Sequence, residues 1–190
     1  MIADKDRSGW FGASDTGYIM GNWKTKTFDE WWRVKLGFIE KELNNKYTKA
    51  GTEYEHKIID ALEIDVEKDK QILLPQYRLR VNLDANTDTT IYEIKTYKAE
   101  NGFEKPPKKY IEQVQVQMFA TGLRDAYIIA YPMTNEHYEN YFLDIDKSLI
   151  KRFRIEYDGK FITKYLAKLI YLKDCLVKGV FPDAREVSDH

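Results

Sequence analysis

The chain contains 190 residues, of which 43% are hydrophobic and 14% aromatic, and its formal net charge is −1. This composition is that of a globular protein; no stretch reaches the roughly 18 apolar residues of a membrane span, and residues 1–6 lack the apolar segment of a secretory signal. The single Cys175 excludes an internal disulfide and a cysteine-based metal cluster, and the balanced charge excludes the overall basic character of many DNA-binding proteins.

We expect one domain over residues 1–190, because this length suits a single hydrophobic core. The core of that domain is expected at about residues 7–145, followed by C-terminal helices at about residues 146–181. The scarcity of cysteine and the lack of a membrane span predict a protein of the cytoplasm.

The first predicted helix is short, with Ser14 as its N-cap and Gly21 at its end. A helix N-terminus that carries a serine hydroxyl, with Arg7 nearby, can hold a phosphate group. The alternative is that Ser14 only caps the helix and that Arg7 is solvated.

Two further helices are predicted before the first strand. A capping box formed by Thr27 and Glu30 predicts a helix that begins at Thr27. The next helix is predicted at residues 51–62, and it places Glu55 on its apolar face. Because an unpaired buried carboxylate is costly, Glu55 needs a metal ion, a basic partner or a proton.

A strand is predicted at residues 71–75, and residues 79–95 then have the pattern of a β-hairpin, with alternating apolar residues on both sides of a polar turn. Pairing of its strands can bring Asp84 beside Glu93, and Lys95 shares a face with Glu93. Two carboxylates beside a lysine suit a Mg²⁺ site for phosphoryl chemistry. The alternative is a solvated strand face, because 32% of the residues are charged.

A helix is predicted at residues 110–121, with Gly122 at its end. Gln113 lies on its inward face, where the amide needs partners: backbone groups, the metal site or DNA. The apolar run at residues 125–131 predicts a central strand buried on both faces.

The C-terminal part is predicted to contain one more strand, at residues 140–145, and then only helices. Asp146 is expected to cap the helical tail, which an Asp158-Gly159 pair interrupts and which Gly179 ends.

Four separate segments carry polar residues in a distinctive order. They are Arg7 with Ala13-Ser14, the helical segment Gly51-Thr52-Glu53-Tyr54-Glu55, Asp84 with Glu93-Ile94-Lys95, and the helical segment Tyr110-Ile111-Glu112-Gln113-Val114-Gln115. Together they resemble the motifs of the YqaJ-like viral recombinase family, to which bacteriophage lambda exonuclease belongs, within the PD-(D/E)xK nuclease superfamily. The likeness covers roughly residues 7–143 and leaves the C-terminal tail without a motif.

The sequence departs from the family pattern around the first core aspartate. Asn82-Leu83 precedes Asp84 where the family usually has Ser-Pro, and Ala85 follows it where the family has glycine. Asp88 is the substitute if Asp84 is not the core aspartate. Thr96-Tyr97 stands where the family often has Cys-Pro.

The resemblance implies an α/β fold, with a mixed central sheet flanked by helices, and a DNA exonuclease that uses one or two Mg²⁺ ions, for which Mn²⁺ can substitute. It implies that Glu55, Asp84, Glu93 and the Ile94 carbonyl hold the metal. It further implies that Lys95 positions and activates the attacking water.

The resemblance also implies a role for each remaining site residue. Gln113 would support the site or contact the scissile region, and Arg7 and Ser14 would bind the 5′-phosphate of a double-stranded DNA end. One strand would be digested in the 5′-to-3′ direction, which leaves single strand for an annealing protein. Resemblance alone implies that the protein forms a ring-shaped homotrimer around DNA. It also implies a phage or prophage protein in the cytoplasm of a bacterial cell.

Two alternatives remain open at this point. Another PD-(D/E)xK nuclease, structure-selective or RecB-like, would share the core but lack the end pocket of Arg7 and Ser14. A non-catalytic DNA-binding module on the same fold would keep the shape without cleavage.

Overall fold

Strands of one mixed sheet form the centre of the computed structural model, which describes residues 7–40 and 45–183. The strands lie side by side in chain order: Glu67–Leu74 (β1), Leu79–Asn86 (β2), Thr90–Lys98 (β3), Asp125–Met133 (β4) and Lys151–Ile155 (β5). Neighbouring strands are antiparallel except β3 and β4, which are parallel.

Helices cover both faces of this sheet. Those within the described ranges are Thr16–Met20 (α1), Lys26–Lys35 (α2), Lys46–Ala61 (α3), Lys108–Thr121 (α4), Asn135–Glu139 (α5) and Gly159–Lys178 (α6). One hydrophobic cluster joins the sheet to α1, α2, α4 and α6, and a second joins it to α3 and α5. The predicted α/β fold, with a mixed sheet between helices, is confirmed.

The crossover from β3 to β4 passes through α4, as parallel strands require. Gly122 ends α4 with a φ of 76°, a left-handed conformation that glycine adopts without a steric penalty. In the described part of the chain, no helix has the length and the apolar character needed to cross a membrane.

Helix starts differ from the predicted ones where a better cap lies upstream. The capping box at Thr27 is wrong, because Thr25 is the N-cap of α2 and its hydroxyl accepts a hydrogen bond from the Phe28 amide (3.1 Å). α3 begins before the predicted Gly51, because the side chain of Asn45 caps it.

The largest difference from the predicted fold lies between β4 and α6. Residues 140–145 form a turn and a loop rather than a strand, and Asp146 caps a short 3₁₀ turn rather than a long helix. β5 follows and pairs with the edge of β4, whose main-chain groups need partners. The second predicted tail helix is confirmed as α6, with Asp158 as its N-cap and Gly179 at its end.

Candidate metal centre

A single cavity of about 480 Å³ brings together residues that are far apart in the sequence. It lies where α3, β2, β3, α4 and the loop before α1 meet. Its lining includes all the predicted site residues: Arg7, Ser14, Glu55, Asp84, Glu93, Ile94, Lys95 and Gln113. We call Glu55, Asp84 and Glu93 the acidic cluster, and we call Arg7, Ser14 and the additional lining residue Arg80 the basic cluster.

Asp84 lies where β2 and β3 separate. These strands pair only at Ala85 with Tyr92 and at Asn86 with Ile91. Beyond those pairs the Ile94 amide donates to Asp84 Oδ2 (2.8 Å) instead of to a carbonyl of the neighbouring strand. Burial, reinforced by the charges of the other two acidic-cluster residues, raises the pKa of the Asp84 carboxyl well above its usual range.

Asp88, the alternative to Asp84, lies in the exposed turn between β2 and β3 and does not line the cavity. The position of Asp84 therefore favours it as the core aspartate, despite the missing proline and glycine around it.

Glu93 is almost completely buried, with 2% of its surface exposed, and side-chain amides hold it from two sides. Gln113 Nε2 donates to its Oε1 (2.6 Å), and Gln117 Nε2 donates to its Oε2 (2.6 Å). Lys95 Nζ lies 2.7 Å from Oε1 and also donates to Gln113 Oε1 (3.0 Å). This network fixes the orientation of the Glu93 carboxylate.

The charge state of Lys95 follows from the same neighbours. Burial alone would lower the pKa of its ammonium group, but Glu93 and Asp84 outweigh burial and raise that pKa. Lys95 is therefore a cation held beside the acidic cluster, suited to orienting a water molecule and neutralising phosphate charge.

Gln117 is a site residue that sequence reasoning did not assign. It is fully buried on α4, one turn beyond Gln113, and it also donates to the Asn82 carbonyl (3.3 Å). The spacing of four residues between the two glutamines on one helix face was the available signal. Gln115 serves a different purpose, because its amide bonds the Glu156 carbonyl and the Asp158 amide before α6.

Glu55 projects into the cavity from α3 and is also buried, with 6% exposed. Burial first, and the charge of Glu93 to a smaller extent, raise the pKa of its carboxyl. Among the described residues, Glu55 also forms a group with His56 and Asp69 whose ligand atoms lie within 4.8 Å of one another. Among the described residues Glu55, Asp84 and Glu93 do not form such a group, so the acidic cluster shares one cavity without its three ligand atoms all lying within 4.8 Å of one another.

The donor set of the cavity fits a divalent metal ion. Glu55, Asp84 and Glu93 bring carboxylate oxygens to its lining, which are hard oxygen ligands of the kind that Mg²⁺ and Mn²⁺ prefer, and Ile94 lines the same cavity. The mutual repulsion that raises the pKa values of Asp84 and Glu55 would be relieved by a bound cation.

The basic cluster is carried by the loop before α1 and by β2. Ser14 is exposed and lies in a 3₁₀ turn, Ala13–Asp15, so it is not the predicted N-cap; Asp15 occupies that position for α1. Arg7 is exposed and also lines the cavity. The structure thus places both residues at the cavity, although Ser14 has no capping role there.

A buried ion pair beneath the loop holds it in place, and the sequence did not indicate it. Lys35 Nζ lies 2.7 Å from Asp15 Oδ2, with both side chains more than nine-tenths buried. The same ammonium group donates to the carbonyls of Arg7 (3.2 Å) and Trp10 (2.9 Å), and Asp15 Oδ1 accepts from Trp31 Nε1 (2.9 Å). The loop therefore has a fixed anchor in the core.

Known proteins are similar to this chain in sequence and in fold. The family model of the YqaJ-like viral recombinase domain matches residues 4–124, and no curated protein matches the chain. The structure of an alkaline exonuclease (LHK-Exo) from Laribacter hongkongensis is similar with a TM-score of 0.72 and 21% identity, over 90% of this chain and 89% of that one. The structure of LHK-Exo in complex with dAMP also has a TM-score of 0.72, with 22% identity over the same shares.

A phage related exonuclease from Haemophilus somnus 129PT is similar with a TM-score of 0.62 and 16% identity, over 89% of this chain and 95% of that one. These likenesses show that the fold is of the PD-(D/E)xK type. The family match spans more than half of the chain and includes every residue predicted for the site. The chain therefore belongs to the YqaJ-like viral recombinase domain family.

Proposed function

We propose that this protein is a divalent-metal-dependent DNA exonuclease that digests one strand of linear duplex DNA from its 5′ end. The observation that carries the proposal is the single cavity, which joins an acidic cluster and a fixed lysine to a basic cluster. Family membership and the likeness to exonucleases support nuclease chemistry. The direction of digestion is supported by Arg7 and Ser14 at the cavity, where a terminal phosphate could be held.

The reaction is phosphodiester hydrolysis. Water oxygen forms a bond to the scissile phosphorus and loses a proton to solvent, the bond from phosphorus to the leaving O3′ breaks, and the O3′ takes up a proton from solvent. The products are a 5′-mononucleotide and a strand that is one nucleotide shorter and carries a new 5′-phosphate. A bound Mg²⁺ or Mn²⁺ would stabilise the charge on the phosphoryl group and lower the pKa of the water.

The residues of the site would have three different roles in this reaction. Glu55, Asp84, Glu93 and the Ile94 carbonyl would hold the metal. Lys95, kept in place by Glu93 and Gln113, would orient the attacking water and neutralise phosphate charge. Arg7 and Ser14 would bind the 5′-phosphate.

The partners proposed for this activity are double-stranded DNA ends and a single-strand annealing protein. A ring-shaped homotrimer is proposed from the resemblance, because a ring around DNA would keep the enzyme on its substrate. Analytical ultracentrifugation of the purified chain measures its oligomeric state, and a monomer would contradict the ring.

A digestion time course on labelled linear duplex DNA tests the activity, its polarity and its metal requirement together. With Mg²⁺, a label at the 5′ end should appear at once as mononucleotide, whereas a label at the 3′ end should remain on progressively shorter strands. EDTA should stop both. Release of the 3′ label first would contradict the polarity, and no cleavage with Mg²⁺ or Mn²⁺ would favour the non-catalytic DNA-binding module.

A matched pair of variants on α3 serves as the control. Glu55→Gln should abolish digestion, whereas Glu53→Gln, two residues earlier and exposed, should leave it unchanged. A nicked circular duplex should resist digestion by an enzyme that needs a free 5′ end in the cavity. Rapid cutting of the circle would indicate a structure-selective nuclease instead.

A further inference from the structure

A second arginine lines the cavity at a position that neither the sequence motifs nor the proposed chemistry uses. Arg80 lies on β2, four residues before Asp84, and is half-buried. Among the described residues that line the cavity, the cationic side chains are Arg7, Arg80 and Lys95. Lys95 lies against Glu93 at 2.7 Å, in the acidic part of the cavity, whereas Arg7 and Arg80 belong to the basic cluster.

The backbone fixes Arg80 beside the loop that carries Ser14. The Phe11 amide donates to the Arg78 carbonyl (2.7 Å), and the Arg80 amide donates to the Phe11 carbonyl (2.8 Å). A Cβ built on Gly12 would lie 3.7 Å from the Arg80 carbonyl oxygen and 3.7 Å from Ser14 Oγ. Ser14 Oγ and the Arg80 carbonyl oxygen therefore both lie beside Gly12, and main-chain hydrogen bonds hold this loop against β2.

The spacing along β2 separates Arg80 from the acidic cluster. Four residues of strand place the Cα atoms of Arg80 and Asp84 about 13 Å apart. One phosphate cannot span that distance, but one strand of DNA can present one phosphate to the acidic cluster and another to Arg80. The strand itself therefore sets the distance between the two positions.

We propose that Arg80 is a specificity-determining residue that binds the 5′-terminal phosphate together with Arg7 and Ser14, an inference that rests on the proposed function. A guanidinium group can donate two parallel hydrogen bonds to a phosphate, which a lysine cannot reproduce. Because Arg80 and Asp84 share one strand, Arg80 also sets how many nucleotides lie between the terminal phosphate and the bond that is cut.

The first test measures binding without cleavage. Duplexes labelled with fluorescein at a 3′ end, with either a 5′-phosphate or a 5′-hydroxyl on the strand to be digested, are titrated in EDTA and followed by anisotropy. Wild-type protein should bind the phosphorylated duplex more tightly, and Arg80→Gln should reduce that preference roughly tenfold or more. Arg80→Lys should keep part of the preference, because it keeps the charge but loses the paired hydrogen bonds.

Arg78→Gln is the matched control. Arg78 is exposed two residues earlier, its guanidinium lies over the Trp10 ring, and it does not line the cavity. This variant should keep the wild-type preference. Equal weakening of both duplexes by Arg80→Gln, or an unchanged preference, would overturn the inference. Circular dichroism establishes that each variant is folded, and Arg80→Lys provides the test if Arg80→Gln is not.

The second test measures where the strand is cut. With Mg²⁺, wild-type protein should release mononucleotides, and Arg80→Gln should release a mixture of mononucleotides and dinucleotides. The two tests separate the inference from the proposed function. If wild-type protein does not cleave DNA yet loses its phosphate preference in Arg80→Gln, the proposed function fails and the phosphate site stands; a wild-type protein without that preference removes the site whether or not it cleaves.

Discussion

The acidic and the basic clusters share one cavity but are built in different ways. The acidic cluster is held by side chains on α3, β2, β3 and α4, with Glu93 fixed by two glutamines and a lysine. The basic cluster depends on a loop that the buried pair of Lys35 and Asp15 anchors from below. Substitutions in the acidic cluster should therefore stop cleavage without lowering the stability of the fold. Substitutions of the ion pair beneath the basic cluster should lower that stability as well.

The largest effect on cleavage is expected inside the acidic cluster. Glu93→Gln and Lys95→Ala should each lower the rate constant of cleavage by about 1,000-fold, because the first removes a charged metal ligand and the second a cation that acts on the phosphoryl group. The measurement is single-turnover digestion of linear duplex DNA with Mg²⁺. Lys98→Ala, on the same strand but outside the cavity lining, should digest normally. A rate near that of wild type for Glu93→Gln would remove the metal assignment.

The largest effect on stability is expected beneath the basic cluster. Lys35→Met leaves the Asp15 charge buried without its cation, and such a loss costs about 3–5 kcal/mol of unfolding free energy. Urea denaturation followed by circular dichroism measures it. Lys26→Met, exposed on the same helix, should change the unfolding free energy little. If the two variants unfold at the same urea concentration, the ion pair does not anchor the loop.

An intermediate effect is expected from the amide behind Glu93. Gln117→Leu removes the donor to Glu93 Oε2, and loss of a partner that orients a metal ligand typically costs 10–100-fold in metal affinity or activity, so about that loss is expected. Gln115→Leu should lower the melting temperature but not kcat, because that side chain bonds the segment before α6. The opposite pattern would place Gln115, not Gln117, in the site.

A smaller and selective effect is expected from the basic cluster itself. Arg7→Ala should lower digestion of 5′-phosphorylated ends by roughly tenfold, because it removes one charged hydrogen-bond donor. Digestion of 5′-hydroxyl ends should change little. Equal losses on the two substrates, measured side by side, would contradict a phosphate site at Arg7.

The smallest effect concerns pH and metal together. The pKa values of Asp84 and Glu55 are raised in the folded protein, so the stability that these groups contribute is present below their unfolded pKa and is lost as pH rises through the folded values. Mg²⁺ should offset that loss when the carboxyls are ionised, raising the melting temperature by about 2–4 °C at pH 8 and less at pH 5. Asp84→Asn should weaken this difference, and an equal rise at both pH values would contradict it.

The part of the site that lies on the hairpin was predictable because its signals are local. Asp84, Glu93 and Lys95 lie in one hairpin, and Gln113 was marked by its position on an inward helix face. Asp88 could be set aside only when the structure placed it in the exposed turn, outside the cavity.

The supporting parts were not predictable, because they depend on contacts between distant segments. Lys35 and Asp15 are ordinary charged residues in the sequence, and Arg80 comes to lie beside the loop of Ser14 through the bridge between Phe11 and Leu79. β5 was predicted as helix, because its pairing with β4 is likewise a long-range contact.

The early parting of β2 from β3 has a consequence for engineering. In a hairpin that is paired along its whole length, the inward-facing main-chain groups would all bond the neighbouring strand. Here the Ile94 amide bonds the Asp84 side chain instead. Substitutions selected only for heat resistance would tend to close that gap, since every added ladder bond favours the folded state. Such variants should be more stable to heat and less active, because the same gap between β2 and β3 limits stability and permits the contact between Ile94 and Asp84.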